Sequence, residues 1–143
     1  PITCSDGRFI MFSIGQLELL SSFKGGVIER IDYGDTPIGK RLDAYFEGGL
    51  TGGVLFGKMR GVDYLLTHSD GVSEINVRAV IATSDGVNIS VQISGYYRDG
   101  LIKDAHVKLL TGDERYRWLS DKIIVGKGKS TPEGLEIDYF YEP

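Results

Sequence analysis

The sequence predicts an all-β protein, a single antiparallel barrel of about 8–10 strands with one short helix. Two alternating runs joined by Asp85-Gly86 carry most of this prediction. Residues 75–81 and 87–93 place an apolar side chain at every second position, which is the period of a pleated strand with one buried face. Asp-Gly between such runs tolerates the positive φ angles of a tight hairpin turn. The 20 glycines of the chain recur between the other alternating runs, as expected for many short strands.

The same alternation predicts ten strands along the chain. In order, they are Arg8–Ser13, Gln16–Ser22, Val27–Asp32, Arg41–Glu47, Val54–Lys58, Asp63–Thr67, Ser73–Thr83, Val87–Tyr97, Lys122–Lys129 and Gly134–Tyr141. Glycine-containing turns are predicted between them, at Lys24-Gly25-Gly26, Gly48-Gly49, Gly52-Gly53, Asp70-Gly71, Asp85-Gly86 and Pro132-Glu133-Gly134.

One segment, Leu101–Gly112, has a different pattern. Leu101, Ala105 and Leu109 have helical spacing, and Gly112 stands where a helix would stop, so the short helix is predicted here. Sequential antiparallel hairpins leave either a sandwich or a closed barrel. We favour the barrel, because closing the sheet removes the exposed strand edges that invite aggregation.

Length and charge restrict the class of protein. A chain of 143 residues is most simply one domain, residues 1–143, with residues 1–7 expected to form a flexible N-terminal segment. The net charge of −4 argues against nucleic acid or a membrane surface as partner. Cys4 cannot form an intramolecular disulfide, and no apolar run approaches the roughly 20 residues of a membrane helix. The first residues lack the order of a signal peptide, so the predicted location is cytoplasmic.

Four sequence pieces resemble one known family in their order and spacing. They are the glycine-rich stretch Phe46–Gly57 leading to Gly61-Val62-Asp63-Tyr64, the run Asp70–Arg78, the turn Asp85-Gly86, and Tyr116-Arg117-Trp118-Leu119-Ser120-Asp121. On these pieces, the region from Gly39 to Tyr141 is similar to domain of unknown function 3237, a family of uncharacterised calycin-like barrel proteins. Tyr64 departs from the family's usual Trp. The resemblance implies a calycin- or lipocalin-like antiparallel barrel and specifies no activity.

Asp63 and Arg78 are the candidate catalytic pair. They lie on strands joined by the Asp70-Gly71 turn, so the two side chains could face each other across a ladder. An arginine inside a barrel can bind a carboxylate or enolate bidentately, and a buried aspartate beside it can act as a general base. The alternative is a cross-strand salt bridge without a catalytic role.

The candidate ligand-binding residues are Tyr64, Asn76, Gln92, Tyr116 and Trp118. The polar row that contains Asn76 and Gln92 could line a wet cavity, or it could face solvent. The aromatic side chains could form the walls of a ligand site, or they could plug the ends of the barrel.

No metal site or cofactor is predicted. His68 and His106 are not accompanied by a Cys/His cluster, and Gly48–Gly57 lacks the pattern of a phosphate-binding loop. Three functions remain open: a barrel that binds a small amphipathic metabolite, a cofactor-independent isomerase, cyclase or decarboxylase acting on a small carbonyl or polyketide-like compound, and a structural module with a filled barrel. A cavity of roughly 300 Å³ or more would argue against the third. A homodimer or homotrimer is a further expectation.

Overall fold

The computed structural model describes residues 3–5, 7–9 and 16–143, and its regular elements are almost all β-strands. The strands are β1 (Thr3–Ser5), β2 (Gly7–Phe9), β3 (Glu18–Thr36), β4 (Gly39–Thr51), β5 (Gly57–Thr67), β6 (Ser73–Thr83), β7 (Asn88–Arg98), β8 (Leu101–Leu110), β9 (Ile124–Thr131) and β10 (Gly134–Tyr141). A 3-10 helix spans Arg117–Asp121. No helix among the described residues is long enough and apolar enough to cross a membrane.

Strands β3 to β10 form a closed antiparallel barrel. Each strand pairs with the next one in the chain, and β10 closes the barrel against β3. β1 and β2 form a separate two-stranded sheet. Residues 1, 2, 6 and 10–15 lie outside the described residues, as does most of the strand predicted at Arg8–Ser13. The prediction of an all-β protein with a single antiparallel barrel is confirmed.

The central hairpin follows the alternation read from the sequence. Val77, Val91 and Ile93 are buried inside the barrel, whereas their chain neighbours Arg78 and Gln92 are exposed on the outer face. The backbone N–H of Thr83 donates to the carbonyl of Val87 at 2.8 Å, and Gly86 adopts a φ of 90°. This positive φ is the reason that Asp-Gly suits the turn.

Two predicted turns are wrong, because β3 and β4 run without a break through their glycine pairs. Gly25 and Gly48 are paired across the ladder in mid-strand. A Cβ on Gly25 would collide with the carbonyl of Glu47, and a Cβ on Gly48 would collide with the Phe23 ring. These glycines therefore make room for a buried aromatic ring rather than for a turn.

The predicted helix over Leu101–Gly112 is also wrong, because most of this segment is strand β8. Ile102, Ala105, Val107 and Leu109 are buried, and an irregularity in the β8–β9 register lies between Ile102 and Ala105. The irregularity places two outward residues in succession, which lengthens one interval of the apolar pattern from two to three and imitates helical spacing. The helical element follows at Arg117–Asp121, where we predicted none.

The two ends of the barrel differ. At one end the interior is filled by apolar side chains, and Leu119 of the 3-10 helix, only 1% exposed, packs against them. At the other end β3 extends past its pairing with β10, which stops at Gly25, and residues 26–36 continue in partnership with β4. This open end carries the candidate site.

Candidate ligand-binding site

A cavity of about 560 Å³ occupies the half of the barrel toward the open end. Its wall is mostly apolar and includes Phe23, Phe46, Met59, Ile75, Val77, Ile93, Ile102 and Ile137. Toward the closed end, the described side chains are packed, and a small space of about 10 Å³ lies between Leu20, Leu55 and Leu109. Among the described residues, the barrel interior is therefore packed toward one end and hollow toward the other.

Small side chains leave this space open. Ala44 of β4 and Ala105 of β8 point inward at the level of the cavity and are almost fully buried. The turn between β9 and β10, residues 131–134, lies along the rim of the cavity. A molecule could therefore enter from the end where this turn and the β3 extension meet.

Asp63 is a carboxyl group inside the cavity. It occupies the inward phase of β5 with Met59 and Leu65. Its Oδ1 accepts a hydrogen bond from the backbone N–H of Asn76 at 2.9 Å, where the β5–β6 ladder is interrupted. Among the described residues no side chain pairs with it.

Burial is the main influence on the Asp63 carboxyl group. Loss of hydration raises its pKa to about 6, and the hydrogen bond from Asn76 opposes this rise in pKa only in part. Protonated and ionised Asp63 therefore both exist near neutral pH. A buried carboxyl group with a raised pKa in a cleft is a marker of functional sites.

Arg30 is a cation on the same wall, exposed toward the open end, and it was not among the residues predicted from the sequence. Arg30 of β3 is paired with Ala44 of β4, and Ala44 is paired with Asp63 of β5. All three residues line the cavity. Neighbouring strands lie about 4.8 Å apart, so the Cα atoms of Arg30 and Asp63 are about 10 Å apart. Arg30 takes part in none of the salt bridges formed among the described residues.

Tyr139 provides a hydroxyl group deeper in the cavity. The residue is only 5% exposed, and burial raises the pKa of its phenol above the ordinary value. In the part of the chain that the structure describes, Tyr139 Oη has no hydrogen-bond partner, although buried hydroxyl groups are usually satisfied. The cavity therefore has polar groups near the open end, on Arg30 and Asp63, and another deeper in the barrel, on Tyr139.

The chain was compared with known protein families, and one family matches it. The family described as "Protein of unknown function (DUF3237)" matches residues 16–100 and 104–141. The chain belongs to this family. No match was found among curated proteins.

The fold of this DUF3237 protein is shared by solved structures. A β-barrel-like protein from Acinetobacter baumannii is 23% identical with a TM-score of 0.78, over 88% of this chain and 94% of the other. A protein of unknown function from Clostridium acetobutylicum is 22% identical with a TM-score of 0.80, over 89% and 99%. An enzyme from Penicillium herquei is 22% identical with a TM-score of 0.71, over 90% and 94%.

Arg78 of this DUF3237 protein does not join Asp63, contrary to the expected pair. Asp63 is paired with Val77, whereas Arg78 is paired with Val62 and is exposed on the outer face. Adjacent residues of a strand point to opposite faces, so the buried Val77 directs Arg78 outward.

The predicted polar row also points away from the cavity. Asn76 and Gln92 are exposed on the outer face, and Gln92 lies opposite Arg78. Of the two alternatives for this row, the structure therefore matches the one in which it faces solvent. The apolar side chains between these residues fill the interior, so the polar phase faces solvent.

None of the three predicted aromatic residues lines the cavity. Tyr64 is 38% exposed on the outer face of β5. Tyr116 donates from Oη to the carboxyl group of Asp85 at 2.9 Å, and the Trp118 ring packs against Tyr141 with centroids 5.6 Å apart. Tyr116 and Trp118 thus flank the 3-10 helix at the closed end, which matches the alternative that they plug the barrel.

The two histidines of the DUF3237 chain lie away from the cavity. His68 Nε2 contacts Glu74 Oε2 at 2.5 Å, and His106 is exposed on β8. No group of three or more His, Cys, Asp or Glu side chains in the described ranges could hold a metal ion.

Proposed function

We propose that this protein binds a small amphipathic molecule inside the barrel. The observation that carries the proposal is the cavity of about 560 Å³, a volume within the range of about 300–1,000 Å³ typical of ligand pockets. Its wall is apolar with a few polar groups, and this composition suits a ligand with an apolar body. A structural module with a filled barrel would not need this space.

Two polar groups would orient the bound molecule. Asp63 can accept a hydrogen bond, or donate one when protonated, and Tyr139 can do both at greater depth. Because both groups face the cavity, a ligand that satisfies them gains specificity over one that leaves them unpaired.

Binding is tested with N-phenyl-1-naphthylamine, an uncharged fluorescent probe whose emission rises in apolar surroundings. We expect saturable binding to the wild type. Ala105→Phe, which fills the cavity, should weaken the probe's affinity at least tenfold, equivalent to about 1.4 kcal/mol. Gln92→Phe adds the same ring on the outer face and should change the affinity less than about twofold.

Val77→Phe is a second cavity-filling variant, and circular dichroism shows which variants keep the fold. The proposal is wrong if the wild type does not bind the probe, or if folded cavity-filling variants bind it as the wild type does. Native mass spectrometry of protein purified from its own host is an independent test, in which we expect a co-purifying small molecule.

A second candidate function is cofactor-independent catalysis by proton transfer. Asp63 supports it, because a carboxyl group with a pKa of about 6 inside a cavity is suited to general acid–base chemistry. The structural relative from Penicillium herquei, described as an enzyme, gives a further reason to look for activity. Substrates would be small carbonyl or polyketide-like compounds that undergo isomerisation, cyclisation or decarboxylation.

The chemical step at Asp63 is proton abstraction. The carboxylate takes a proton from a carbon next to a carbonyl group, the C–H electron pair forms the C=C bond of an enolate, and the C=O π electrons move to the carbonyl oxygen. The assay follows hydrogen–deuterium exchange at the two α-carbons of 4-phenylbutan-2-one by NMR.

We expect the wild-type exchange rate to rise with pH through about 6, and Asp63→Asn to lower the rate at least about 100-fold. Arg78→Ala, on the outer face, is the control and should keep the rate. Equal rates for wild type and Asp63→Asn exclude this candidate but leave ligand binding intact.

A further inference from the structure

We propose that Arg30 anchors an anionic oxygen of the bound molecule, so that the barrel takes amphipathic acids such as carboxylates or enolates. The inference rests on the proposed binding function and names its ligand class. Arg30 thus takes the anchoring role that was expected of Arg78, which lies on the outer face.

The first support is the alignment of Arg30, Ala44 and Asp63 in one row across β3, β4 and β5. The register pairs Arg30 with Ala44 and Ala44 with Asp63, and all three residues line the cavity. The methyl group of Ala44 leaves the space between the two charged side chains free. An oxygen atom of a ligand above Ala44 would lie within reach of both.

The second support is the charge of the lining. Arg30 is the cation among the residues that surround the cavity, and it forms no salt bridge with another described residue. Its acidic counterparts there are Asp63 and Glu133. A guanidinium group without a protein carboxylate can bind an oxyanion through two parallel hydrogen bonds.

The third support is the bonding that holds the β3 extension. Asp43, only 5% exposed on β4, accepts a hydrogen bond from Tyr33 Oη at 2.8 Å and one from Arg41 Nη2 at 2.8 Å. Arg41 also donates from Nη1 to the carbonyl of Leu65 at 2.8 Å. These bonds join β3, β4 and β5 outside the barrel at the level of Arg30, so the site is supported before a ligand arrives.

Protonation of Asp63 would help an anion to bind. Ionised Asp63 repels the ligand's oxygen, whereas protonated Asp63 donates a hydrogen bond to it. The other ionisable groups that line the cavity are Glu133, Tyr97 and Tyr139, in addition to Arg30. Glu133 is exposed on the turn at the rim.

The test compares two fluorescent probes of similar shape. 1-Anilinonaphthalene-8-sulfonate carries a negative charge, and N-phenyl-1-naphthylamine does not. We expect Arg30→Ala to weaken the sulfonate probe at least fivefold and the uncharged probe less than about twofold. Arg78→Ala removes the same charge from the outer face and should leave both affinities near those of the wild type.

A pH series separates the role of Asp63. The sulfonate probe should bind the wild type more tightly at pH 5 than at pH 7.5, and Asp63→Asn should remove this difference, since the sulfonate and Arg30 keep their charges over this range.

The inference is overturned if Arg30→Ala and Arg78→Ala weaken the sulfonate probe equally, or if neither weakens it, while the uncharged probe still binds. If neither probe binds the wild type, the proposed binding function fails, and this inference fails with it.

Discussion

Replacing Asp63 by asparagine should stabilise the protein at neutral pH. Asp63 has an ordinary carboxyl pKa of 3.8 in the unfolded chain and a pKa of about 6 in the folded barrel. The difference corresponds to about 3 kcal/mol at 1.36 kcal/mol per pKa unit, an upper estimate because water can reach the cavity. A raised carboxyl pKa means that the folded state binds the proton more tightly than the unfolded state does.

The sign of the pH dependence follows from these two values. The favourable contribution of protonated Asp63 is fully present below pH 3.8 and is lost as the pH rises through about 6. Above pH 6 the wild type contains an ionised carboxylate in an apolar cavity, whereas Asp63→Asn contains a neutral amide. The amide oxygen can still accept the hydrogen bond from the Asn76 backbone.

The measurement is the free energy of unfolding in urea, for wild type and Asp63→Asn, from pH 4 to pH 8. We expect the variant's advantage to grow from about 0.5 kcal/mol at pH 4 to as much as about 3 kcal/mol at pH 7.5. Asp104→Asn, at an exposed position on β8, is the matched control and should show a difference of less than about 0.5 kcal/mol throughout. A variant-minus-wild-type difference that does not change with pH would refute the burial of an ionisable Asp63.

Two further predictions concern the fold. Gly25→Ala should lower the free energy of unfolding by about 1–3 kcal/mol, because the added Cβ collides with the Glu47 carbonyl. Gly49→Ala, whose added Cβ meets no atom, is the control and should change the free energy of unfolding by less than about 0.5 kcal/mol. Urea unfolding measures both. Leu119→Ala should cost about 2–5 kcal/mol by opening the closed end, whereas Leu110→Ala, 66% exposed, should change the thermal midpoint little.

The sequence predicts the barrel well because its strands have one apolar and one polar face. The β6–β7 hairpin could be placed almost to the residue, since alternation and the Asp85-Gly86 turn agree. The two wrongly predicted turns lie where glycine makes room for a neighbouring side chain and does not form a turn. Gly25 and Gly48 lie under the Phe23 ring, and this role depends on a cross-strand neighbour that no local pattern reveals.

The site could be predicted only in part, for a related reason. Asp63 carries a signal in the sequence, because it stands in the apolar phase of β5 between Met59 and Leu65. Arg78 stands in the polar phase of β6, so the alternation itself places the two residues on opposite faces of the sheet. The hypothesis of a facing pair used the sequence distance between them and neglected this phase.

The alternation of β3 does not show that Arg30 faces the cavity. The β3–β4 register shifts between Val27 and Glu29 and again between Asp32 and Gly34, so the alternation of β3 changes phase on both sides of Arg30. A bulge lets two successive residues share a face, and its position depends on the partner strand. A charged residue in the apolar phase of a regular strand can therefore be recognised as a candidate from sequence alone. A charged residue between two bulges, such as Arg30, becomes a candidate only when the strand pairing is known. In this barrel Arg30 and Asp63 lie in the same row of the cavity wall.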